Sequence, residues 1–111
     1  MNLSPDAVIA EAKLKKYLLV WREADDKSKF LAQAGYTLSN WQQLEAALRS
    51  QILPLEAVPS DEVNRFGDVY EIRGVLRGVN GTELAVVTIW MIEYETQVTK
   101  LITLYPDKEA G

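Results

Sequence analysis

The dipeptide Asn80-Gly81 constrains the fold more than any other feature of this sequence. It lies between two runs rich in Val, Ile, Leu, Thr and Trp, at residues 69–76 and 84–93. Asn-Gly is the pair that a two-residue type I′ β-hairpin prefers. A third run of similar composition follows at 98–105, after a four-residue turn at 94–97. The second half of the chain is therefore predicted to be an antiparallel β-meander.

Apolar residues in the first half recur at helical spacing instead. Ser4-Pro5-Asp6 predicts the start of a first helix, because Ser can cap the free amides and Pro fits the first turn. A short second helix over 29–34 is expected to end at Gly35. A third helix is predicted to begin at a capping box formed by Ser39 and Gln42.

The chain of 111 residues is long enough for one hydrophobic core, so residues 1–111 are predicted to form a single domain. A helical half at about 5–53 precedes a connector at 54–67, which contains two prolines and scattered acids, and the meander spans 68–106. The expected fold class is α+β. Two to three N-terminal helices would pack on one face of a three- to four-stranded antiparallel meander.

The composition excludes several kinds of chemistry. Cysteine and histidine are both absent, which removes disulfides, thiolate metal sites and the commonest general base. Asp61, Glu62 and Asp68 lack the spacing of a calcium loop, so neither a metal nor a cofactor is expected. The net charge of −4 disfavours nucleic acid as a partner. No run is long enough to span a membrane, and a cytoplasmic location is the expectation.

A two-residue loop at Asn80-Gly81 would place Arg73 opposite Thr88, and the second turn would place Thr88 opposite Thr103. The three side chains would then form a polar row across three strands. An Arg flanked by hydroxyls could bind an anion or a phosphate. Alternatively, the threonines are ordinary strand residues, and Arg73 pairs with Glu71 or covers Trp90. The sequence leaves both interpretations open.

The same register separates the two faces of the sheet. One face is uniformly apolar and is predicted to be the core beneath the helices: Tyr70, Ile72, Leu76, Ala85, Val87, Ile89 and Met91. Around the polar row, the other face would present a candidate interface: Leu84, Val86, Trp90, Ile92, Leu101 and Tyr105. The connector or the first helix could cover this face, or a second copy or another protein could bind it.

Five segments together form a pattern that is typical of a known family: Tyr17-Leu18-Leu19, Lys27-Ser28-Lys29-Phe30, Gly35-Tyr36, Thr88-Ile89-Trp90, and Leu101-Ile102-Thr103-Leu104-Tyr105-Pro106. In these segments the sequence resembles a bacterial domain-of-unknown-function family, found as small stand-alone proteins and at the C-termini of proteins similar to polymorphic toxins. The resemblance covers nearly the whole chain. It implies a barnase/RelE-like architecture, in which Lys29, Thr88, Thr103 and Tyr105 match polar positions of the family.

Three functions are compatible with these observations. The sequence favours a non-enzymatic protein-interaction module, acting as a homodimer or as the small partner in a two-protein operon. The resemblance implies a toxin-type ribonuclease as the alternative. Its candidate catalytic residues would be Lys29, Arg73, Thr88, Thr103 and Tyr105, with the two cations stabilising phosphorane charge and the tyrosine moving protons. A third possibility is a small-ligand site at the Arg73 row.

Overall fold

The structure is a computed structural model that describes residues 1–24 and 26–110. Predictions that fall on Asp25, in the loop at 22–28, or on Gly111 lie outside the described residues. These residues form an α+β fold with three helical segments and one antiparallel sheet. Helix α1 begins as an α-helical turn at Glu11–Lys13 and continues as π-helix over Leu14–Leu18. Helix α2 is Ser28–Ala32. Helix α3 is Trp41–Ala47; a 3₁₀ turn at Leu38–Asn40 precedes it, and it continues as π-helix over Leu48–Ile52.

The sheet has four strands in the order β1-β2-β3-β4, and every neighbouring pair is antiparallel. The meander predicted over 68–106 is confirmed, and a short edge strand from the connector joins it. The four strands are β1 at Val58–Pro59, β2 at Gly67–Arg77, β3 at Glu83–Glu93 and β4 at Thr99–Pro106.

Residues 1–10 contain no helix, and the helix start predicted at Ser4-Pro5-Asp6 is wrong: these residues form a single turn, in which the Ala7 amide donates to the Ser4 carbonyl at 3.0 Å. Val8 pairs with the outer edge of β4: its amide donates to the Thr99 carbonyl at 2.8 Å, and its carbonyl accepts from the Leu101 amide at 2.9 Å. The neighbouring side chains of Ala7 and Ile9 are buried. Pairing with the strand edge and alternate burial therefore outweigh the local helix signal.

The two helix-end predictions have different outcomes. Gly35 has a φ of +84° and ends the turn that follows α2, as predicted. The capping box predicted at Ser39 and Gln42 is formed instead by Thr37 and Asn40, because the chain enters α3 through a 3₁₀ turn that begins two residues earlier. The end of α3 before Pro54 agrees with the sequence.

The loop of the first hairpin is one residue longer than predicted. The Gly78 amide donates to the Thr82 carbonyl at 2.8 Å, and the Gly81 amide donates to the Gly78 carbonyl at 3.1 Å. Only Gly81, not Asn80, has the positive φ that a type I′ turn requires at both central positions. The loop therefore contains three residues, and Arg73 lies opposite Val87 instead of Thr88.

The second hairpin was predicted correctly as far as a β-bulge. The Gln97 amide donates to the Glu93 carbonyl at 2.9 Å, so residues 94–97 form the expected turn. Trp90 lies opposite Leu101, also as expected. The bulge between Ile89 and Trp90 then shifts the register by one residue and places Ile89 opposite Thr103.

A one-residue slip exchanges the two faces of a strand, and this happens on β3. The face that packs against the helices, called here the covered face, carries the main core residues of the sheet: Ile72, Leu76, Leu84, Val86, Trp90, Leu101 and Leu104. The opposite face carries a smaller buried cluster of Val69, Val87 and Ile89, with Ile102 packed against it. It is called the open face because this cluster contains no helix residue. Ala85, Val87, Ile89 and Met91 were predicted to lie under the helices, and that prediction is wrong.

Candidate functional site

The predicted polar row does not form, because Thr88 lies on the covered face and Arg73 on the open face. Thr88 is fully buried, and its hydroxyl donates to the Ile72 carbonyl at 3.0 Å while it accepts from Trp90 Nε1 at 2.7 Å. A buried indole N–H needs such a partner. Thr88 therefore serves the packing of the core and cannot contact a substrate at the surface.

Arg73 is surrounded by carboxylates. Its guanidinium lies 2.9 Å from Asp107, 3.5 Å from Glu71 and 3.6 Å from Glu109. The pairing with Glu71 was one of the two sequence interpretations and is confirmed. Partial desolvation lowers the pKa of Arg73, but Asp107, Glu71 and Glu109 together outweigh it and raise the pKa above its ordinary value. An Arg in this position binds the C-terminal segment of its own chain.

The other members of the nuclease set are dispersed. Tyr105 lies in the same cross-strand row as Arg73, with Val87 between them, and is partly exposed. Thr103 lies one row away on the same face, opposite Ile89. Lys29 projects from α2 into a shallow cleft that also contains Tyr36, and neither residue lines the cleft that Arg73 lines.

Arg73 and Tyr105 line a cleft of about 580 Å³ at the end of β4. Its charged groups are balanced, with three cations and three carboxylates, so it concentrates no net positive charge for phosphoryl chemistry. Asp26 on its rim accepts hydrogen bonds from the Ser28 hydroxyl and from nearby backbone amides, including that of Lys29, and these bonds lower its pKa. The lining residues are Asp26, Lys27, Arg73, Val87, Tyr105, Pro106, Asp107, Lys108 and Glu109.

The candidate interface residues are mostly inside the molecule. Leu84, Val86, Trp90 and Leu101 are buried in the core under the helices, and Ile92 is half-buried against it. Tyr105 lies on the other face. Of the alternatives left open by the sequence, intramolecular covering is therefore the one that the structure shows, since Leu14 and Leu18 of α1 belong to the same cluster.

Exposed apolar side chains gather elsewhere, at the end of the sheet where the connector enters β2 and the 94–97 turn leaves β3. We call this region the connector end. Gly67 and Glu93 are paired there, and the Tyr94 amide donates to the Phe66 carbonyl at 2.9 Å, which fastens the connector to the turn. Its large apolar side chains are 40–95% exposed: Val63, Phe66, Tyr94 and Val98.

Val63 and Tyr94 line one cleft of about 360 Å³ at the connector end, together with Glu62 and Asp68. Tyr94 donates a hydrogen bond to Asp68 at 3.0 Å, and this bond, with burial, raises the pKa of the Tyr94 phenol. Sequence reasoning missed this surface. Its only signal was the presence of Val63 and Phe66 in a connector with no periodicity to bury them.

The connector end is acidic as well as apolar. Five carboxylates belong to it: Asp61, Glu62, Asp68, Glu93 and Glu95. Only two cations accompany them, and both are engaged, since Arg65 stacks on Phe66 with its guanidinium carbon 4.9 Å from the ring centroid and Lys100 binds Glu93 at 2.9 Å. The geometry therefore combines an apolar surface with an excess of negative charge.

Residues 1–24 and 26–110 contain no cluster of Asp and Glu side chains arranged to hold a metal ion. Within the same ranges, no helix has the length and apolarity required to cross a membrane.

The fold and its surfaces define a small α+β domain with one covered and one open sheet face. The model of the family described as "Domain of unknown function (DUF6883)" matches residues 2–108, so the chain belongs to this family. This agrees with the expectation of a domain-of-unknown-function family. No curated protein and no solved structure matches the chain.

Proposed function

We propose that this chain is a protein-interaction module and that its docking surface is the connector end. The observation that carries the proposal is the exposure of four large apolar side chains at one end of the sheet, where Val63 is 95% and Phe66 60% exposed. Apolar groups that lie together in water are typical of a surface that a partner covers. The surface predicted from sequence lay on the covered face, and the proposal moves it to the connector end.

The negative charge of the connector end indicates which kind of partner it binds. Two copies of the connector end would bring their acidic residues together, and like charges at an interface oppose association. A partner segment with apolar side chains flanked by Lys or Arg would satisfy both the apolar surface and the carboxylates around it. The proposed occupant is therefore a different protein that presents such a basic, apolar segment.

The dispersal of the candidate catalytic residues gives the ribonuclease alternative no comparable support. Thr88 is buried on the covered face, Arg73 is held by three carboxylates, and Lys29 lines a different cleft. The small-ligand alternative at the Arg73 row meets the same obstacle, because the row is not formed.

A capture experiment with a matched pair of variants tests the proposal. Val63→Asp places a charge in the connector end, whereas Val75→Asp makes the same change at a side chain that is 53% exposed on β2. The tagged wild type and both variants are exposed to lysate of the source organism, and bound proteins are quantified by mass spectrometry. We expect at least one protein that wild type and Val75→Asp retain and that Val63→Asp loses at least about tenfold, the effect of disrupting an interface hot spot.

Capture of the same proteins in the same amounts by all three forms would contradict the proposal. Light scattering tests the choice of occupant. A wild-type dimer that Val63→Asp dissociates would show that a second copy, instead of a different protein, occupies the connector end.

A further inference from the structure

Positive charge is unevenly distributed along this acidic chain. Residues 13–29 contain six of the 12 basic residues but only three of the 16 acidic ones, which gives this segment a net charge of +3 and leaves −7 for the rest. The segment comprises most of α1, the following loop and the start of α2. The overall charge that disfavours a nucleic-acid partner is therefore not the charge of this surface.

The fold concentrates three of these cations around one aromatic ring. The side-chain charges of Arg22, Lys13 and Lys27 lie 4.8, 4.9 and 5.7 Å from the centroid of Tyr17. Significant contacts of this kind occur about once per 70–80 residues, so three on a single ring form a distinct local cluster. We call these four residues the Tyr17 cluster.

Lys13 and Arg22 of this cluster are not neutralised in the way that Arg73 is. In the described part of the chain, no ion pair involves Lys13 or Arg22. The nearby carboxylate of Asp26 is engaged with Ser28 and with the backbone amides of Arg22 and Lys29. Lys13 and Arg22 can therefore approach an external anion without first breaking an ion pair.

Two accessible aromatic residues adjoin the Tyr17 cluster, one along the chain and one in a shared cleft. Trp21, adjacent to Arg22 in the chain, is 62% exposed. Lys27 also lines the cleft that contains the partly exposed ring of Tyr105, where three cations and three carboxylates balance, so a second ring adjoins the cluster. Alternation of cations with exposed rings is the arrangement by which proteins bind single strands, with phosphates on the cations and unpaired bases on the rings.

We infer that the Tyr17 cluster binds single-stranded nucleic acid. Lys13 and Arg22 contact the phosphates, and Trp21 and Tyr105 offer their rings to unpaired bases. A duplex keeps its bases stacked on each other and cannot use these rings. The inference is independent of the connector end, which lies elsewhere on the fold and carries the opposite charge.

Fluorescence anisotropy with a labelled 15-nucleotide uridine strand at low salt tests the inference. We expect saturable binding whose affinity falls with salt with a log–log slope of about −1.4, the value for two phosphate contacts on a single strand. The double variant Lys13→Glu/Arg22→Glu should bind at least tenfold more weakly. Intrinsic fluorescence should be quenched in the wild type, and Trp21→Ala should lose most of that quenching.

Arg77→Glu is the matched charge control, since its side chain is 69% exposed and its salt bridge with Glu83 lies outside the cluster. It should bind within about twofold of wild type after each variant is confirmed as folded by its thermal transition. Absence of binding by wild type, or an equal loss in Arg77→Glu and the double variant, would overturn the inference. So would binding of a duplex, or of inorganic phosphate alone, as tightly as the single strand.

Discussion

The two ends of the sheet are built differently. At the hairpin end, Asn80 donates to the Gln33 carbonyl at 3.1 Å, the Arg77 amide donates to Gln51 at 2.7 Å, and the Tyr36 hydroxyl donates to the Arg77 carbonyl. These contacts fasten the hairpin to the helical half. At the connector end, the polar contacts stay within the connector and the adjoining strands, and Val63 and Phe66 project outward. The hairpin end stabilises the fold, whereas the connector end contributes a surface.

The largest expected effect is at Gly78. A Cβ there would overlap the carbonyl oxygen of Ala34, which is backbone and cannot move aside. Gly78→Ala should therefore lower the free energy of unfolding by about 3 kcal/mol, at the upper end of the usual cost of overpacking. Gly81→Ala, which meets open space but requires a φ of +86°, should cost about 1 kcal/mol. Urea unfolding of both variants checks the difference, and equal costs would contradict the packing of Gly78 on Ala34.

A smaller effect is expected from the polar contacts of the hairpin end. Tyr36→Phe removes the hydroxyl that binds the Arg77 carbonyl and should cost about 1 kcal/mol. At the connector end, Tyr94→Phe removes a hydroxyl whose partner, the exposed carboxylate of Asp68, can bind water instead. Tyr94→Phe should therefore cost less than Tyr36→Phe in the same urea assay. A larger loss of unfolding free energy from Tyr94→Phe than from Tyr36→Phe would contradict the claim that the hairpin end stabilises the fold more than the connector end does.

The Glu93–Lys100 ion pair gives the connector end a modest dependence on pH. Hydrogen bonds from Lys100 and then Thr96 lower the pKa of Glu93 below its ordinary value of 4.5. A carboxylate with a lowered folded pKa stabilises the protein above its unfolded pKa and loses that contribution as pH falls through the folded value. Glu93→Gln should thus destabilise the chain more at pH 7 than at pH 3. An equal loss at both pH values would show that the ion pair does not stabilise the fold.

The smallest effects on stability are expected for Val63→Asp and Phe66→Asp. Both side chains are largely in water, and exposed substitutions usually change the free energy of unfolding by less than about 0.5 kcal/mol. Urea unfolding should superimpose on the wild-type curve. A loss above 1 kcal/mol would show that these residues support the fold, and they would then not be available for a partner.

Much of the fold could be predicted from sequence, because local patterns determine much of it. The strands of the meander, the 94–97 turn and the C-cap at Gly35 depend on nearby residues and were correct. The register of the first hairpin was predicted wrongly, because Asn-Gly permits loops of two or three residues. The chain forms the three-residue loop, in which Gly78 and Asn80 contact the helical half. Because the loop is one residue longer than predicted, Thr88 and Trp90 lie in the core instead of on the surface proposed from sequence.

The site was less predictable, since it depends on contacts that are distant in sequence. Arg73 meets Asp107, 34 residues away, and this pairing has no signal in the local pattern. The N-terminal segment pairs with β4 across about 90 residues, and the run of apolar residues at 7–10 does not distinguish such a strand from a helix. The distribution of charge along the chain was more informative than its net charge. The excess of basic residues at 13–29 is visible in the sequence, but the net charge of −4 conceals it.

Site-specific photo-crosslinking tests the central claim, docking at the connector end, most directly. A benzophenone side chain is placed at position 66 in one protein and at position 79 in another, because Phe66 and Val79 are 60% and 52% exposed at opposite ends of the sheet. After irradiation in cells, we predict a covalent adduct of one defined mass from position 66 and none from position 79. Equal adducts from both positions, or an adduct from position 79 alone, would contradict the claim.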